Sequence, residues 1–147
     1  MKTFFAPEVQ SDFRARLERL TAASGRQWGT MDAAQMLAHC TAAMRMVLGE
    51  LPVKGVLMGL IGWMFKKVIF EEKPFRKNVP TAPEFTCTER LDFAMEKERF
   101  LAAFGRLAQG PAAIRCHRHP FFGTLTGEEW GLLTCKHLDH HFRQFGV

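Results

Sequence analysis

T-G-E-E-W-G-L-L-T-C-K-H-L-D-H-H-F-R-Q-F-G, residues 126–146, is the stretch on which the reading of this chain turns. Thr126 and Glu129 stand three apart, the spacing of a capping box that opens a helix. Gly146 suits the left-handed position just past a helix end. In between, Trp130, Leu133, His137, His141 and Phe145 recur at steps of three and four, which places them on one helical face. A face that carries Trp and Leu turns inward, where a charged imidazolium is costly. Two neutral imidazoles four residues apart can grip one metal ion, as they do in the helical H-E-x-x-H motif. His140 lies off this face and suits a hydrogen bond at the bundle edge. Asp139 points away from His137, towards solvent or Arg143.

Three further segments have the same period. The first runs from about Pro7 to Ala23, with Pro7 in its first turn and Val9, Phe13, Leu17 and Leu20 as its stripe. The second runs from about Met31 to Leu48, with Thr30 as cap, Met36, His39, Ala43 and Val47 aligned, and Gly49 and Pro52 as stops. The third runs from about Glu89 to Leu107, with Thr86 or Thr88 as cap, Phe93, Phe100, Phe104 and Leu107 on one face, and Gly110-Pro111 closing it. No segment alternates as a strand does. Four amphipathic helices of this length predict an all-α fold, a four-helix bundle in a single domain spanning 1–147. A short turn joins the first two helices, which predicts that they are antiparallel neighbours. The second and third are separated by a long crossover, Gly49 to Cys87, which allows them to run parallel. Within the crossover, Val56 to Phe70 can add a short helix, and Pro74 to Pro83 should be extended.

The composition suits one packed core: 147 residues, 47% of them hydrophobic. The net charge of +5 is spread along the chain. It favours anionic small molecules, and the absence of a basic stripe interleaved with aromatics argues against nucleic acid. The most apolar run, residues 51–65, is broken by glycines and shorter than the roughly 20 residues of a membrane span, so no stable insertion of the 51–70 segment is expected. It predicts instead a cover for one end of the bundle or a subunit contact in a homodimer, because exposed it would be a large apolar patch. Cys40, Cys87, Cys116 and Cys135 form no C-x-x-C pair and no export signal is visible, so a cytoplasmic chain with free thiols is expected.

His39 supplies a third imidazole on the second helix. Asp32 and Gln35, seven and four residues earlier, are candidates for the acceptor that fixes the tautomer of a ligating histidine, and Gln144 is the corresponding candidate for His141. The bland reading of these three is ordinary polar packing at helix ends. His119, in R-C-H-R-H-P-F-F-G, and Glu128 are the candidates for a catalytic acid or base, although a histidine before proline more often anchors a turn. Cys40 points about 100° around the helix from His39 and reads as a small core residue.

Two blocks resemble a known family. W-G-T-M-D-A-A-Q-M-L-A-H-C, residues 28–40, is similar to the start of the second helix in the DinB/YfiT-like superfamily of metalloenzymes. Residues 119–146 are similar to the C-terminal motif of an uncharacterised branch of it, of the domain-of-unknown-function 1569 type. The resemblance implies a four-helix bundle with a long second crossover. It also implies a divalent metal held by one histidine of the second helix and an H-x-x-x-H pair of the fourth, which here are His39, His137 and His141. Relatives in that superfamily include thiol-dependent S-transferases and an isomerase.

The sequence therefore predicts a metal-dependent hydrolase or thiol-dependent S-transferase. It would use Zn²⁺, Ni²⁺ or Fe²⁺ and a small-molecule substrate, with a thiol as possible cofactor. The alternative is a non-catalytic bundle that binds a small ligand or a partner and keeps a structural or vestigial metal site.

Overall fold

The structure, a computed structural model, describes residues 2–52, 66–79 and 85–147. Four long helices form the bundle: α1 (Pro7–Arg19), α2 (Ala33–Val47), α4 (Phe93–Leu107) and α5 (Gly127–Gln144). A single-turn helix, α3 (Lys67–Phe70), lies in the crossover. A two-residue antiparallel pair, β1 (Arg118–His119) with β2 (Gly123–Thr124), precedes α5.

The helix ends follow local chemistry. The α5 capping box is formed by Thr126 and Glu129. In α2 the cap is Asp32 rather than Thr30, in a reciprocal box with Gln35. In α4 the cap is Asp92, later than the threonines expected, because its carboxylate accepts from the Met95 amide and so starts the helix there. Helix α1 stops at Arg19, short of Ala23, with Leu20 extended and buried beneath the chain.

Paired contacts at the helix ends give the topology. Gln35, at the start of α2, donates to the carbonyl of Glu89 ahead of α4, and Arg106, in the last turn of α4, pairs with Glu50 just past α2. Helices α2 and α4 are therefore parallel, which only the long crossover between them permits. The Phe4 amide donates to the Gly131 carbonyl, and Arg16 reaches Asp139, so α1 and α5 are parallel too. Lys97 near the start of α4 meets Glu18 near the end of α1, and Gln27 before α2 bonds Gln144 at the end of α5. The two parallel pairs thus run in opposite directions. Helix α2 packs chiefly on α4 and α1 chiefly on α5, so the first two helices run antiparallel as expected but have their main contacts with other helices.

The core is aromatic and aliphatic. Phe13, Met36, Phe104 and Leu133 are buried, as their stripes predict. Phe142 joins two layers, its ring 5.6 Å from that of Phe13 and 5.9 Å from that of Phe100. Each such side chain, when fully buried, contributes roughly 1.5–3 kcal/mol. The burial of Arg16 is offset by its partners, Asp139 and the Val147 carbonyl, with its guanidinium against the rings of Phe13 and Phe142. At Gly131 a Cβ would meet Thr3 and Phe5 within 2.7 Å, so only glycine lets the N-terminal segment cross α5 there.

Among the described residues no helix is long and apolar enough to cross a membrane. The apolar segment from Val56 falls outside the described residues as far as Phe65, and so does the end of the proline-rich stretch from Pro80. Of the extra helix expected there, Lys67–Phe70 is seen.

Candidate metal centre

Helix α5 is centred on Leu138 and Phe142, both fully buried, rather than on the histidines. His141 lies at the edge of this core face and His137 on its flank, turned towards α2. From α2, His39 comes to meet them. The ring centroids are 5.0 Å apart for His39 and His137, 4.6 Å for His39 and His141, and 4.7 Å for His137 and His141. One nitrogen from each of the three lies within 4.8 Å of the others. The Nε2 atoms of His39 and His137 are 3.0 Å apart.

Hydrogen bonds decide which nitrogens are free. His39 Nδ1 is 3.0 Å from the carbonyl oxygen of Phe85, which can only accept, so Nδ1 carries the proton. His141 Nδ1 is 2.9 Å from Gln144 Oε1. The orientation of that amide is set in turn, because Gln144 Nε2 donates to the Trp28 carbonyl at 2.7 Å. Neutral His39 and His141 therefore both present Nε2 as a lone pair. Burial favours the neutral form. It pulls the pKa of His39 below the usual 6.5, with the Phe85 contact opposing, and takes His141 down to about 3. His137 is pushed well below 6.5, first by burial and then by the neighbouring imidazoles.

The turn before α2 is part of the support. Gly29 has φ +79°, and a Cβ there would stand 2.4 Å from Gln144 Nε2. Glycine thus brings the Trp28 carbonyl onto Gln144. This tie, like the Phe85 carbonyl, uses main-chain atoms, and no side-chain signal in the sequence marks it.

The other predicted residues lie elsewhere. Asp32 and Gln35 spend their side chains on the α2 capping box, and Gln35 also on Glu89, so neither orients His39. Phe85 takes that place. Glu128 is exposed in the first turn of α5, nine residues or about 14 Å along the helix from His137. His119 closes the turn between β1 and β2. Its Nδ1 accepts from the amides of Phe121 and Phe122 at 3.0 and 3.1 Å, and its ring lies 5.4 Å from that of Trp130. Burial brings its pKa down to about 4. It anchors the turn, and it is not one of the three converging histidines. Cys40 is a core residue against Met36, its thiol pKa raised by burial.

His140 faces outward and does not join the group. It stands between the rings of Trp28 and Phe75, with centroids at 5.5 and 6.1 Å.

A protein-family model covers residues 8–146 of the chain. The chain belongs to the DUF1569 family, described as proteins of unknown function. No curated protein and no solved structure matches it. The assignment says nothing of the chemistry, so the donor set must. In this DUF1569 chain, three imidazoles converge with two lone pairs already directed by their hydrogen bonds. Such a set could hold one divalent ion, and imidazole suits zinc, nickel and iron alike. The 3.0 Å between His39 and His137 Nε2 is close to the roughly 3.3 Å between two nitrogens that share a tetrahedral ion at about 2.0–2.1 Å.

Proposed function

We propose that this DUF1569 protein is a metal-dependent enzyme of DinB-like architecture, a hydrolase or a thiol-dependent S-transferase. The observation that carries the reading is the convergence of His39, His137 and His141, with the outer nitrogens of two of them tied to acceptors. Parallel α2 and α4 joined by a long crossover support the DinB-like arrangement. A divalent ion in the centre supplies a Lewis acid that brings a water or a thiol towards its anionic, nucleophilic form near neutral pH.

The chain's own residues do the rest. Phe85 and Gln144 fix the tautomers of His39 and His141, and burial keeps all three imidazoles neutral, the form that binds metal. Among the described residues no carboxylate joins the histidines. That leaves three protein ligands and positions for substrate, the pattern of a catalytic centre rather than a closed structural one. Cys40, next to His39 in the chain, is sealed in the core and is not the source of such a thiol.

The test is elemental analysis of protein purified without a polyhistidine tag and dialysed against a weak chelator. One equivalent of zinc, nickel or iron is expected. Protein that neither retains nor takes up any of the three overturns the reading.

A further inference from the structure

On the outer side of His140 lies an open cleft of about 450 Å³. Trp28 and Phe75 wall it, and Lys77 and Arg143 line it as well. His140 is in edge contact with His141, their centroids 5.1 Å apart, so a single imidazole separates the cleft from the three-histidine group.

The charged side chains that line the cleft among the described residues are of one sign. The Lys77 ammonium lies 4.2 Å from the centre of the Trp28 ring, and no carboxylate pairs with it among the described residues. Arg143 uses its Nε on Asp139 at 2.8 Å, but that carboxylate is shared with Arg16. Among the described residues no acidic side chain lines the cleft. One whole cation and one partly neutralised cation beside aromatic walls call for a single negative charge on a flat apolar body. A dianion would exceed the charge on offer.

We propose that the cleft binds the substrate, and that the substrate is a small carboxylate with an aromatic or similarly flat body. The carboxylate is held by Lys77 and Arg143, and the body lies against Trp28 and Phe75. The proposal names the substrate class for the metal centre proposed above and rests on that reading. The cleft, however, is formed by residues outside the histidine group, so the two can fail separately.

The experiment uses the full, metal-free, ¹⁵N-labelled chain and follows the Trp28 indole N–H signal, assigned with Trp28→Phe. Benzoate, benzamide and phenyl phosphate are titrated in turn. A saturable Trp28 shift is expected with benzoate, at about tenfold lower concentration than with benzamide. Lys77→Gln, and separately Arg143→Gln, should each weaken benzoate by about fivefold and leave benzamide unchanged. His39→Ala, which removes a proposed metal ligand, should leave benzoate binding within about twofold. Loss of metal in the elemental analysis with benzoate binding intact therefore sinks the metal reading and not the cleft. The cleft proposal is overturned if benzoate does not bind, if benzamide binds equally well, if phenyl phosphate binds more tightly than benzoate, or if neither cation matters.

Discussion

His39 and His137 face each other across the contact of α2 and α5, with their Nε2 atoms 3.0 Å apart. Each approaches on a helix of its own, so the gap between them is set by how two rigid elements pack. A substitution at either position changes the proposed ligand set without rebuilding the scaffold, which makes the centre suited to single-residue tests.

Replacing His39, His137 or His141 with Ala should each lower metal affinity by well over tenfold, since each is a ligand of the proposed centre. Replacing His140 should have little effect. Ala is the best helix former, so α2 and α5 should persist. Metal content of the four variants after dialysis decides the matter. A His140 variant that loses metal while the His141 variant keeps it would show that the wrong face has been assigned.

Gln144 and Asp32 should separate cleanly. Gln144→Ala removes the acceptor that holds His141 and should weaken metal binding about 10- to 100-fold. Asp32→Ala removes a helix cap and should cost about 1 kcal/mol of stability while leaving metal affinity unchanged. Chelator competition and denaturant unfolding, run on both variants, check the crossed pattern.

Acid should loosen the β1–β2 turn. His119 Nδ1 accepts two amides and so must stay unprotonated, and its pKa in the fold is about 4 against an ordinary 6.5. Above about 6.5 both folded and unfolded chains leave it neutral. As pH falls towards 4 the unfolded chain takes up the proton first, so stability is lost across that window. Melting temperatures of the metal-free protein should drop between pH 7 and 4. In His119→Asn, whose side-chain oxygen can still accept, the drop should be shallower. Equal slopes would remove His119 from the account.

Phe142→Ala should destabilise the fold by about 3–5 kcal/mol, because a fully buried ring that touches Phe13 and Phe100 leaves a cavity between two helix layers. Urea unfolding with an unchanged slope is the expected form of the result. A loss below about 1 kcal/mol would mean that the layers collapse onto each other.

Helix identity was legible because burial writes a 3.6-residue period into the chain. Trp130, Leu133, His141 and Phe145 are buried as their spacing predicts. The centre of the α5 face was misplaced by about a third of a turn, since Leu138 and Phe142 lie one step from the histidines and a stripe of threes and fours passes between them. The pairing of helices was less legible. Short connections suggest neighbours, yet Gln35 on Glu89 and Arg106 on Glu50 bind α2 to α4 across the crossover. Least visible were the partners that use main-chain atoms. Asp32 and Gln35 had the right residue types at the right spacing to serve His39, but a helix start competes for the same side chains and wins. The Phe85 carbonyl that serves instead has no counterpart in residue type.

His39 on α2 lies 98 positions before His137, the first of the two histidines on α5. An ion that bridges them is in effect a reversible cross-link around most of the protein, and closing so long a loop takes freedom mainly from the unfolded chain. During synthesis His39 emerges 98 residues ahead of His137, so the centre is complete only once α5 has been made. Metal supply would then govern how long the finished molecule survives in a cell as well as whether it reacts.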